Sequence, residues 1–248
     1  MSYIKISNIS KSYNNKKIIE KFNLTIEKGK FISFVGAYGT GKTTLLKLLA
    51  GIENIDEGNI TINGCSPKEL KEQRKIGFAF QQPMLLPWRN VLNNILLPAE
   101  FNKEEKSNEA KELLNLVGLQ NKMEAYPSEL SGGMQRIVSI LRAIILNPSI
   151  LLLDEPLSAI DEINRDELHE KLIEIHNKNS QTTILVTHSI HEAVYLSDEV
   201  YILGGSPARI INKITPRNPR TKSKKFSLET MQDVSKIKEE LRGVIKNA

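Results

Sequence analysis

The chain has 248 residues, of which 40% are hydrophobic and 25% charged, and its formal net charge is +5. These values are ordinary for a soluble globular protein with a sizeable core. The mild positive charge favours solvated lysines over a face that binds nucleic acid or anionic lipid. Cys65 is the single cysteine. It excludes an intramolecular disulfide and a Cys/His metal cluster, and it fits a reducing cytoplasm.

No segment of the sequence reaches the ~20 apolar residues that a membrane-spanning helix needs. The strongest candidate, IVSILRAIIL, is interrupted by Arg142. The first residues, MSYIKISNIS, lack a charged start followed by an apolar stretch, so we expect no signal peptide. The sequence therefore predicts a protein that does not cross a membrane, although it can lie on one.

Strand and helix patterns alternate along much of the chain. FNLTIE (22–27) alternates apolar and polar residues, as a half-buried strand does, whereas FISFV (31–35) is a continuous apolar run typical of a fully buried strand. A glycine-rich turn and the helix KTTLLKLLA follow, and Gly51 ends that helix. This alternation predicts an α/β fold with a mainly parallel sheet. We predict further strands at 149–154, 182–187 and 199–203, and helices at 132–146, 161–178 and 189–196.

Two segments depart from this alternation. Residues 82–147 contain helical patterns with no strand between them, which predicts a helical subdomain inserted into an α/β core of residues 1–81 and 148–215. Residues 216–248 comprise a basic linker, PRNPRTKSKK, and an amphipathic helix. We expect the apolar stripe of this helix to dock on the core. The stripe consists of Leu228, Met231, Val234, Ile237, Leu241 and Val244.

The segment QQPMLLPWRN (81–90) joins the predicted core to the helical subdomain. Pro83 and Pro87 exclude a regular helix or a central strand, yet the segment is too apolar for an idle surface loop. Two interpretations remain open. In one, Met84, Leu85, Leu86 and Trp88 line a groove for a short helix of a partner. In the other, Trp88 fills the core of the helical subdomain.

GAYGTGKT (36–43) has the G-x-x-x-x-G-K-[ST] spacing of a phosphate-binding loop, between a buried strand and a helix. Glycines allow the backbone N–H groups to point at phosphate oxygens, and the N-terminus of the helix adds a positive dipole. The ammonium of Lys42 can then reach the β- and γ-phosphates, and the hydroxyl of Thr43 can bind Mg²⁺.

SILLLDEP (149–156) ends a buried strand in two acidic residues. Asp154 can hold Mg²⁺ through its water shell, and Glu155 can polarise an attacking water molecule. The alternative is a strand end with two solvated acids, which the phosphate-binding loop upstream makes less attractive.

LSGGM (130–134) places Ser131 and two glycines at the start of a strongly amphipathic helix. Ser131 is a favourable N-cap, and an ordinary capped helix is the simplest interpretation. Glycine at the first helical positions is costly, however, unless the backbone must approach another molecule closely. The helix start is therefore a second candidate anion site.

The order of these motifs resembles the ATP-binding subunits of ABC transporters over residues 3–211. Tyr13 falls where that family stacks an aromatic ring on adenine. GAYGTGKT resembles the Walker A loop, FAFQ the Q-loop and LSGGM the signature motif. ILLLDEP is similar to Walker B, LSAID (157–161) to the D-loop and VTH (186–188) to the switch-histidine loop. The resemblance implies a P-loop NTPase core of the ABC ATPase type, with a mainly parallel sheet, a small antiparallel sheet and an inserted helical subdomain.

The resemblance also implies roles for individual residues, with ATP and Mg²⁺ as cofactors. Glu155 would be the general base and His188 the sensor of the γ-phosphate, assisted by Gln81 and Lys42. The implied Mg²⁺ ligands are Thr43, Gln81 and Asp154. The implied nucleotide contacts are Tyr13, Gly36, Gly39, Thr40, Gly41, Lys42, Thr43, Thr44, Ser131, Gly132 and Gly133.

Several positions depart from the pattern of the family. Ala37 and Tyr38 occupy Walker A positions that often hold proline and a small polar residue. Residues 134–138 read M-Q-R-I-V where the family usually has M-R-Q-R-V, so Gln135, Arg136 and Ile137 depart from the pattern. This puts the polar contacts at that helix start in question. Ser189 replaces the usual aspartate after His188.

LLPWRNVLNNI (85–95) and SIHEAVYLSDEVYILGGSPARI (189–210) resemble segments of importer ATPases for nitrate, sulfonates and taurine. Importers of pyrimidine thiamine precursors share these features and are an alternative. A soluble ABC ATPase of DNA repair or translation is a less favoured one, because the inserted region is short. A binding module without catalysis would lack Glu155 or His188.

The resemblance implies a head-to-tail homodimer in which LSGGM of one subunit closes the P-loop of the other. Integral-membrane permease subunits and a periplasmic or lipoprotein substrate-binding protein are the other implied partners, and no nucleic acid is expected. The implied location is peripheral, at the cytoplasmic face of the cell membrane. The transported solute is chosen by the other chains.

Overall fold

The computed structural model describes residues 2–157, 162–179, 181–221 and 227–246. Residues 158–161 of the predicted D-loop and residues 222–225 of the basic linker lie outside this part of the chain, as does the side chain of Val244. Among the residues described, no helix combines the length and the apolar character that a bilayer crossing requires.

Nine strands, β1–β9 in chain order, form within the described residues. They are Ser2–Tyr13, Lys16–Glu27, Phe31–Gly36, Glu57–Ile62, Ile76–Ala79, Ile150–Asp154, Thr182–Val186, Glu199–Gly204 and Arg209–Ile214. Eight α-helices, α1–α8, accompany them in the same part of the chain. They are Lys42–Leu49, Pro67–Glu72, Val91–Asn102, Ser107–Leu116, Gly132–Ile144, Glu162–Asn179, Ile190–Leu196 and Leu228–Lys246.

The strands form two sheets. A six-stranded sheet has the order β5-β6-β7-β3-β8-β9, in which only β9 is antiparallel to its neighbour. A three-stranded antiparallel sheet has the order β2-β1-β4. The predicted α/β fold with a mainly parallel sheet and a small antiparallel sheet is confirmed.

Helix α1 lies in the core between the two sheets. One hydrophobic cluster joins leucines of α1 to the antiparallel sheet and to the parallel sheet, for example Leu46 to Ile6 and Phe34. The opposite face of the parallel sheet packs on α5 and α6, with Leu141 and Leu153 in a second cluster. Because the apolar side of α1 is enclosed in this way, the loop before it is held at a fixed height above the sheet.

The C-terminal helix α8 docks on β8 and α7 through only part of its apolar stripe. Val234 and Ile237 are buried in a cluster with Val200, and Leu241 packs against them. Leu228 and Met231, at the start of the helix, are 72% and 51% exposed. The expectation that the whole stripe docks is therefore wrong for its first turn, where the described residues offer no surface to cover it.

Glycine at position 77 sets the distance between β5 and α5. A Cβ atom there would lie 2.3 Å from the carbonyl oxygen of Ala143 in α5 and 2.9 Å from the Pro148 ring. Only a residue without a side chain allows this close approach. The contact matters for the site described below, because β5 leads directly into Gln81.

We predict that Gly77→Ala lowers the free energy of unfolding by about 1–3 kcal/mol, since the methyl group forces α5 away from the strand. Gly243→Ala is the matched control. A Cβ at Gly243 meets nothing within 4 Å, so alanine should stabilise the helix by about 0.5–1 kcal/mol. Chemical denaturation of both variants measures the two effects. Wild-type stability of Gly77→Ala would contradict the close contact.

Candidate functional site

Four segments meet at one edge of the parallel sheet. Strands β3, β5, β6 and β7 run in the same direction, so their carboxyl ends lie together. The residues that follow them enclose a cavity of about 270 Å³. Its lining consists of Tyr13, Ile18, Tyr38, Gly39, Thr40, Gly41, Lys42, Thr43, Thr44, Gln81, Glu155 and His188.

The loop between β3 and α1 has the backbone that its glycines permit. Gly39 and Gly41 have φ angles of 76° and 81°, in the left-handed region that favours glycine. At Gly36 a Cβ would lie 2.5 Å from the carbonyl oxygen of Leu203. Gly41 is also the N-cap of α1 and leaves the cap without a side chain. The start of this helix therefore faces the cavity with backbone N–H groups that the helix itself does not use.

Lys42 is buried beneath this loop and bonds to it. Its Nζ donates to the carbonyl oxygens of Gly36 at 2.9 Å and Ala37 at 2.8 Å. The hydroxyl of Thr40 also donates to the Ala37 carbonyl, at 2.9 Å. Burial lowers the pKa of Lys42, although Glu155 and Asp154 oppose the shift. An arriving phosphate would offer this ammonium group a full negative charge in place of carbonyl dipoles.

Thr43 and Asp154 form a hard oxygen pair beside Lys42. The Thr43 hydroxyl donates to Asp154 Oδ1 at 3.1 Å. Burial raises the pKa of Asp154 despite that bond. Within the described residues, no three His, Cys, Asp or Glu side chains cluster to form a metal centre. This donor set suits Mg²⁺, which takes one or two protein oxygens and completes its shell with water and phosphate.

The carboxylate of Glu155 is held on both sides. Gln81 Nε2 donates to Oε2 at 3.0 Å, and His188 Nε2 lies 2.7 Å from Oε1. Glu155 has a φ of 47°, which turns its side chain away from the strand direction at the end of β6. Burial, and then the charge of Lys42, lower the pKa of His188, while Glu155 opposes the shift. The lowered pKa favours the neutral imidazole beside the Glu155 carboxylate.

The turn that carries His188 is fixed by Thr187, Ser189 and Glu192, and nothing in the sequence indicated the part that Glu192 plays. The Thr187 hydroxyl donates to the buried carboxylate of Glu192, and the backbone N–H of Ser189 donates to the Thr187 hydroxyl at 3.0 Å. The Ser189 side chain in turn accepts from Glu192 N at the start of α7. Serine caps a helix as well as aspartate does, so the substitution at this position preserves the turn.

The signature segment lies apart from the cavity. Ser131 is the N-cap of α5 and accepts a bond from Met134 N at 3.3 Å. Gln135 Nε2 donates to the Pro127 carbonyl at 2.9 Å, so the altered residues still tie the helix to the preceding turn. Ser131, Gly132 and Gly133 do not line the cavity that collects the other predicted site residues. Tyr13 lies at its mouth, where its hydroxyl donates to Glu53.

Two side chains fix the segment after Gln81, and neither was predicted from the sequence. Arg142 donates to the carbonyls of Pro83 and Met84, each at 2.8 Å. The buried amide of Asn94 accepts from Leu86 N and donates to the Leu86 carbonyl. Arginine inside the apolar run of α5 was the one visible signal. The proline pair alone therefore does not explain the rigidity of this segment.

The structure excludes one of the two sequence-based interpretations of the segment around Trp88. Trp88 is 71% exposed, so it does not fill the core of the helical region. The groove formed by Met84, Leu85, Leu86 and Trp88 stays a prediction, and a different cavity of about 460 Å³ opens beside the segment. Neither Met84 nor Leu85 nor Leu86 contributes to that cavity. Its apolar lining includes Ile76, Phe78, Phe80, Leu97, Pro98 and Phe101.

A phosphate loop at the central strand, with lysine, threonine and paired acids beside it, defines a P-loop nucleoside-triphosphate hydrolase. The ABC transporter family pattern matches residues 19–158. The chain belongs to this family, and it is an ATPase of the ATP-binding cassette type.

Individual relatives match over most of the chain. The aliphatic sulfonates import ATP-binding protein SsuB of Bacillus cereus is 37% identical over 94% of this chain and 93% of its own length. The taurine import ATP-binding protein TauB of Rhizobium johnstonii is 34% identical over 92% of this chain and 88% of its own. The dimeric ATP-binding cassette MJ0796 in a post-hydrolysis state with ADP and Pi has a TM-score of 0.79 at 28% identity, covering 87% of this chain and 99% of that one.

We predict that Asp154→Asn has opposite effects on the free and the nucleotide-bound protein. Because burial raises the pKa of Asp154, the stability cost of this group is absent below the pKa of about 4 that it has in the unfolded chain, and it appears as the pH rises toward 7. The asparagine variant should therefore unfold at a higher temperature without nucleotide. Wild type should gain about 2.7 kcal/mol from Mg·ATP at 100 times its Kd, whereas the variant should gain far less.

Asp198→Asn is the matched control for this thermal-shift measurement. Burial is the largest single effect on Asp198 and acts to raise its pKa, but the hydrogen bonds from Arg220 and from the Phe31 backbone, together with the nearby positive charges, outweigh it and the net pKa is lowered. Removing this charge should therefore destabilise the free protein and leave the response to Mg·ATP intact. A full response of Asp154→Asn to Mg·ATP would contradict a cation position beside Thr43.

Proposed function

We propose that this chain is the ATP-hydrolysing subunit that powers an importer of a sulfonate solute such as an alkanesulfonate or taurine. One observation carries the catalytic part, namely the Glu155 carboxylate held between Gln81 and His188 at the mouth of the phosphate loop. The names of the relatives support the solute class. Nitrate and thiamine precursors have no such support among these relatives.

The proposed roles follow from the position of each side chain. Lys42 and the loop N–H groups would bind the phosphates, and Glu155 would accept a proton from the attacking water. Thr43, Asp154 and Gln81 would hold Mg²⁺, which supplies positive charge against the phosphate oxygens when bound. His188, which lies beside Glu155, would contact the γ-phosphate. The ring of Tyr13 would cover the adenine at the mouth of the cavity.

The signature helix is assigned to a second copy of the chain. Ser131 is exposed at the start of α5, and a Cβ at Gly132 would meet nothing within 4 Å. Backbone N–H groups at a helix start attract anions. The similar cassette is a dimer by its description. We therefore propose a head-to-tail pair in which this helix start of one copy closes the phosphate loop of the other.

We predict that Ser131→Arg and Glu155→Gln chains are each inactive alone and regain activity when mixed. Loss of the base should lower ATP turnover by ~10²-fold or more. In a mixed dimer one site combines an intact Glu155 with an intact Ser131. Random pairing makes half of the dimers mixed, with one working site each, so at most about a quarter of wild-type activity should return.

The chains are mixed before ATP is added, and mixed dimers are isolated through two different affinity tags. The control is a mixture of Ser131→Arg with a Ser131→Arg, Glu155→Gln double variant, in which no site is complete. Recovery in that control, or no recovery in isolated mixed dimers of the two single variants, would contradict the shared site.

The cavity beside β5 is the proposed contact with the membrane permease. It lies between the strand that leads to Gln81 and the helix α3, and Phe101 at its rim is 71% exposed. The guanidinium of Arg74 lies 5.8 Å from the centre of the Phe101 ring. An apolar groove with aromatic anchors suits a short amphipathic helix. Strand β5 lines this groove and is followed by Phe80 and then Gln81. Gln81 donates a hydrogen bond to the Glu155 carboxylate.

We predict that Phe101→Ala weakens permease binding by about 2 kcal/mol or more, as truncation of an interface anchor does. The ring is exposed in the free chain, so the melting temperature of the isolated subunit should change little. In proteoliposomes with permease and binding protein, ATP-driven uptake of an alkanesulfonate or taurine should fall with the loss of binding.

Trp88→Ala is the matched control, because Trp88 is equally exposed at 71% and lies outside the cavity lining. It should retain both binding and uptake. If Trp88→Ala lost permease binding while Phe101→Ala bound normally, the permease contact would lie at the segment QQPMLLPWRN (81–90) instead of at the cavity. If the wild-type complex took up neither an alkanesulfonate nor taurine, the proposed solute class would be wrong.

The same proposal covers the organisation and location of the chain. Residues 82–147 would move as a helical subdomain against a core of residues 1–81 and 148–215, with 216–248 as an extension. The subunit would sit peripherally at the cytoplasmic face of the membrane. A substrate-binding protein would complete the transporter, and no nucleic acid would take part.

A further inference from the structure

Tyr38 lies at the tip of the phosphate loop and stacks on His188. The two ring centroids are 4.0 Å apart and the ring planes differ by 25°. The tyrosine is otherwise 81% exposed, so His188 is the group that its ring covers. The neighbouring residue Gly39 has a φ of 76°, and a Cβ atom added there would meet no atom within 4 Å. The tip of the loop is therefore not packed against other residues at this position.

Contacts to His188 come from three directions. Glu155 Oε1 lies 2.7 Å from Nε2, and a backbone hydrogen bond to Gly36 raises the pKa of the ring against the effect of burial. Hydrogen bonds of this kind tolerate a broad range of tilt. The Tyr38 ring covers the flat face, where a stack resists tilt directly. The stack therefore fixes the orientation that the two bonds leave open.

The backbone just before Tyr38 is tied to the lysine of the phosphate loop. Lys42 binds the carbonyls of Gly36 and Ala37, which immediately precede Tyr38. The position from which the tyrosine ring reaches His188 is therefore fixed by the loop itself.

We propose that Tyr38 is a positioning residue for ATP hydrolysis, which orients the His188 imidazole beside Glu155 through an aromatic stack. The inference rests on the proposed catalytic role of His188. A small residue at this position could not reach the imidazole face, so the stack depends on the aromatic side chain of Tyr38.

Steady-state ATP hydrolysis by Tyr38→Ala, Tyr38→Phe and wild type tests the proposal. Loss of the stack should lower kcat about three- to tenfold, in line with the worth of an aromatic pair. KM for ATP should change less than about twofold, because the loop N–H groups and Lys42 bind the phosphates. Phenylalanine keeps the ring and should restore kcat to within about twofold of wild type. Since Tyr38 is exposed, all three proteins should melt at the same temperature.

The dependence on His188 is tested in a double-mutant cycle. In a His188→Ala background, Tyr38→Ala should have no further effect on kcat, because its target is already absent. An NMR spectrum of the histidine ring protons gives a readout without turnover. The His188 signal should be shifted upfield by the tyrosine ring current in wild type and Tyr38→Phe, and should lose that shift in Tyr38→Ala.

Failure of the proposed function and failure of the positioning role give different results. A wild-type chain that does not hydrolyse ATP, or a His188→Ala chain with full activity, would overturn the proposed function. Active wild type with unchanged kcat in Tyr38→Ala would overturn the positioning role alone. The positioning role would also be overturned if Tyr38→Ala lowered kcat equally in the His188→Ala background, or if it raised KM without lowering kcat. The same conclusion would follow if the His188 NMR signal were unchanged in Tyr38→Ala.

Discussion

Parallel pairing around β3 is the constraint on which the rest of this structure depends. β3 lies between β7 and β8, and β6 and β5 continue the sheet in the same direction. Because these strands end at one edge, side chains one or two residues beyond the ends of β3, β5, β6 and β7 line the same cavity. Glu155 directly follows β6, whereas Gln81 and His188 are the second residues after β5 and β7. Strand direction thus assembles groups that are far apart in sequence.

The electrostatics of the cavity follow from its burial. Lys42 is satisfied by carbonyls of its own loop, and burial lowers its pKa. Burial raises the pKa of Asp154, whose carboxylate accepts a hydrogen bond from the Thr43 hydroxyl. Both charged groups would gain more from a phosphate and a cation than from the groups they contact here. The arrangement therefore favours the binding of these ligands and lowers the stability of the free protein.

Polar side chains hold the segments around the site by hydrogen bonds, and two of them, Asn94 and Glu192, are buried. Arg142 and Asn94 hold the segment after Gln81, and Glu192 holds the turn that carries His188. Such groups are costly to bury without partners, and each has backbone or hydroxyl groups within hydrogen-bonding distance. These bonds tie the segment after Gln81 to α5 and α3.

The sequence by itself determined the α/β class, the phosphate loop and the acids of the site, because these depend on periodicity and on motifs within a few residues. It predicted the central strands β3, β6, β7 and β8 and part of β2, but not β1, β4, β5 or β9. Only the tertiary structure decided that Trp88 is exposed, that Phe78 and Phe101 line a cavity beside β5, and that Tyr38 stacks on His188. These facts depend on distances between segments far apart along the chain, and no local pattern encodes such distances.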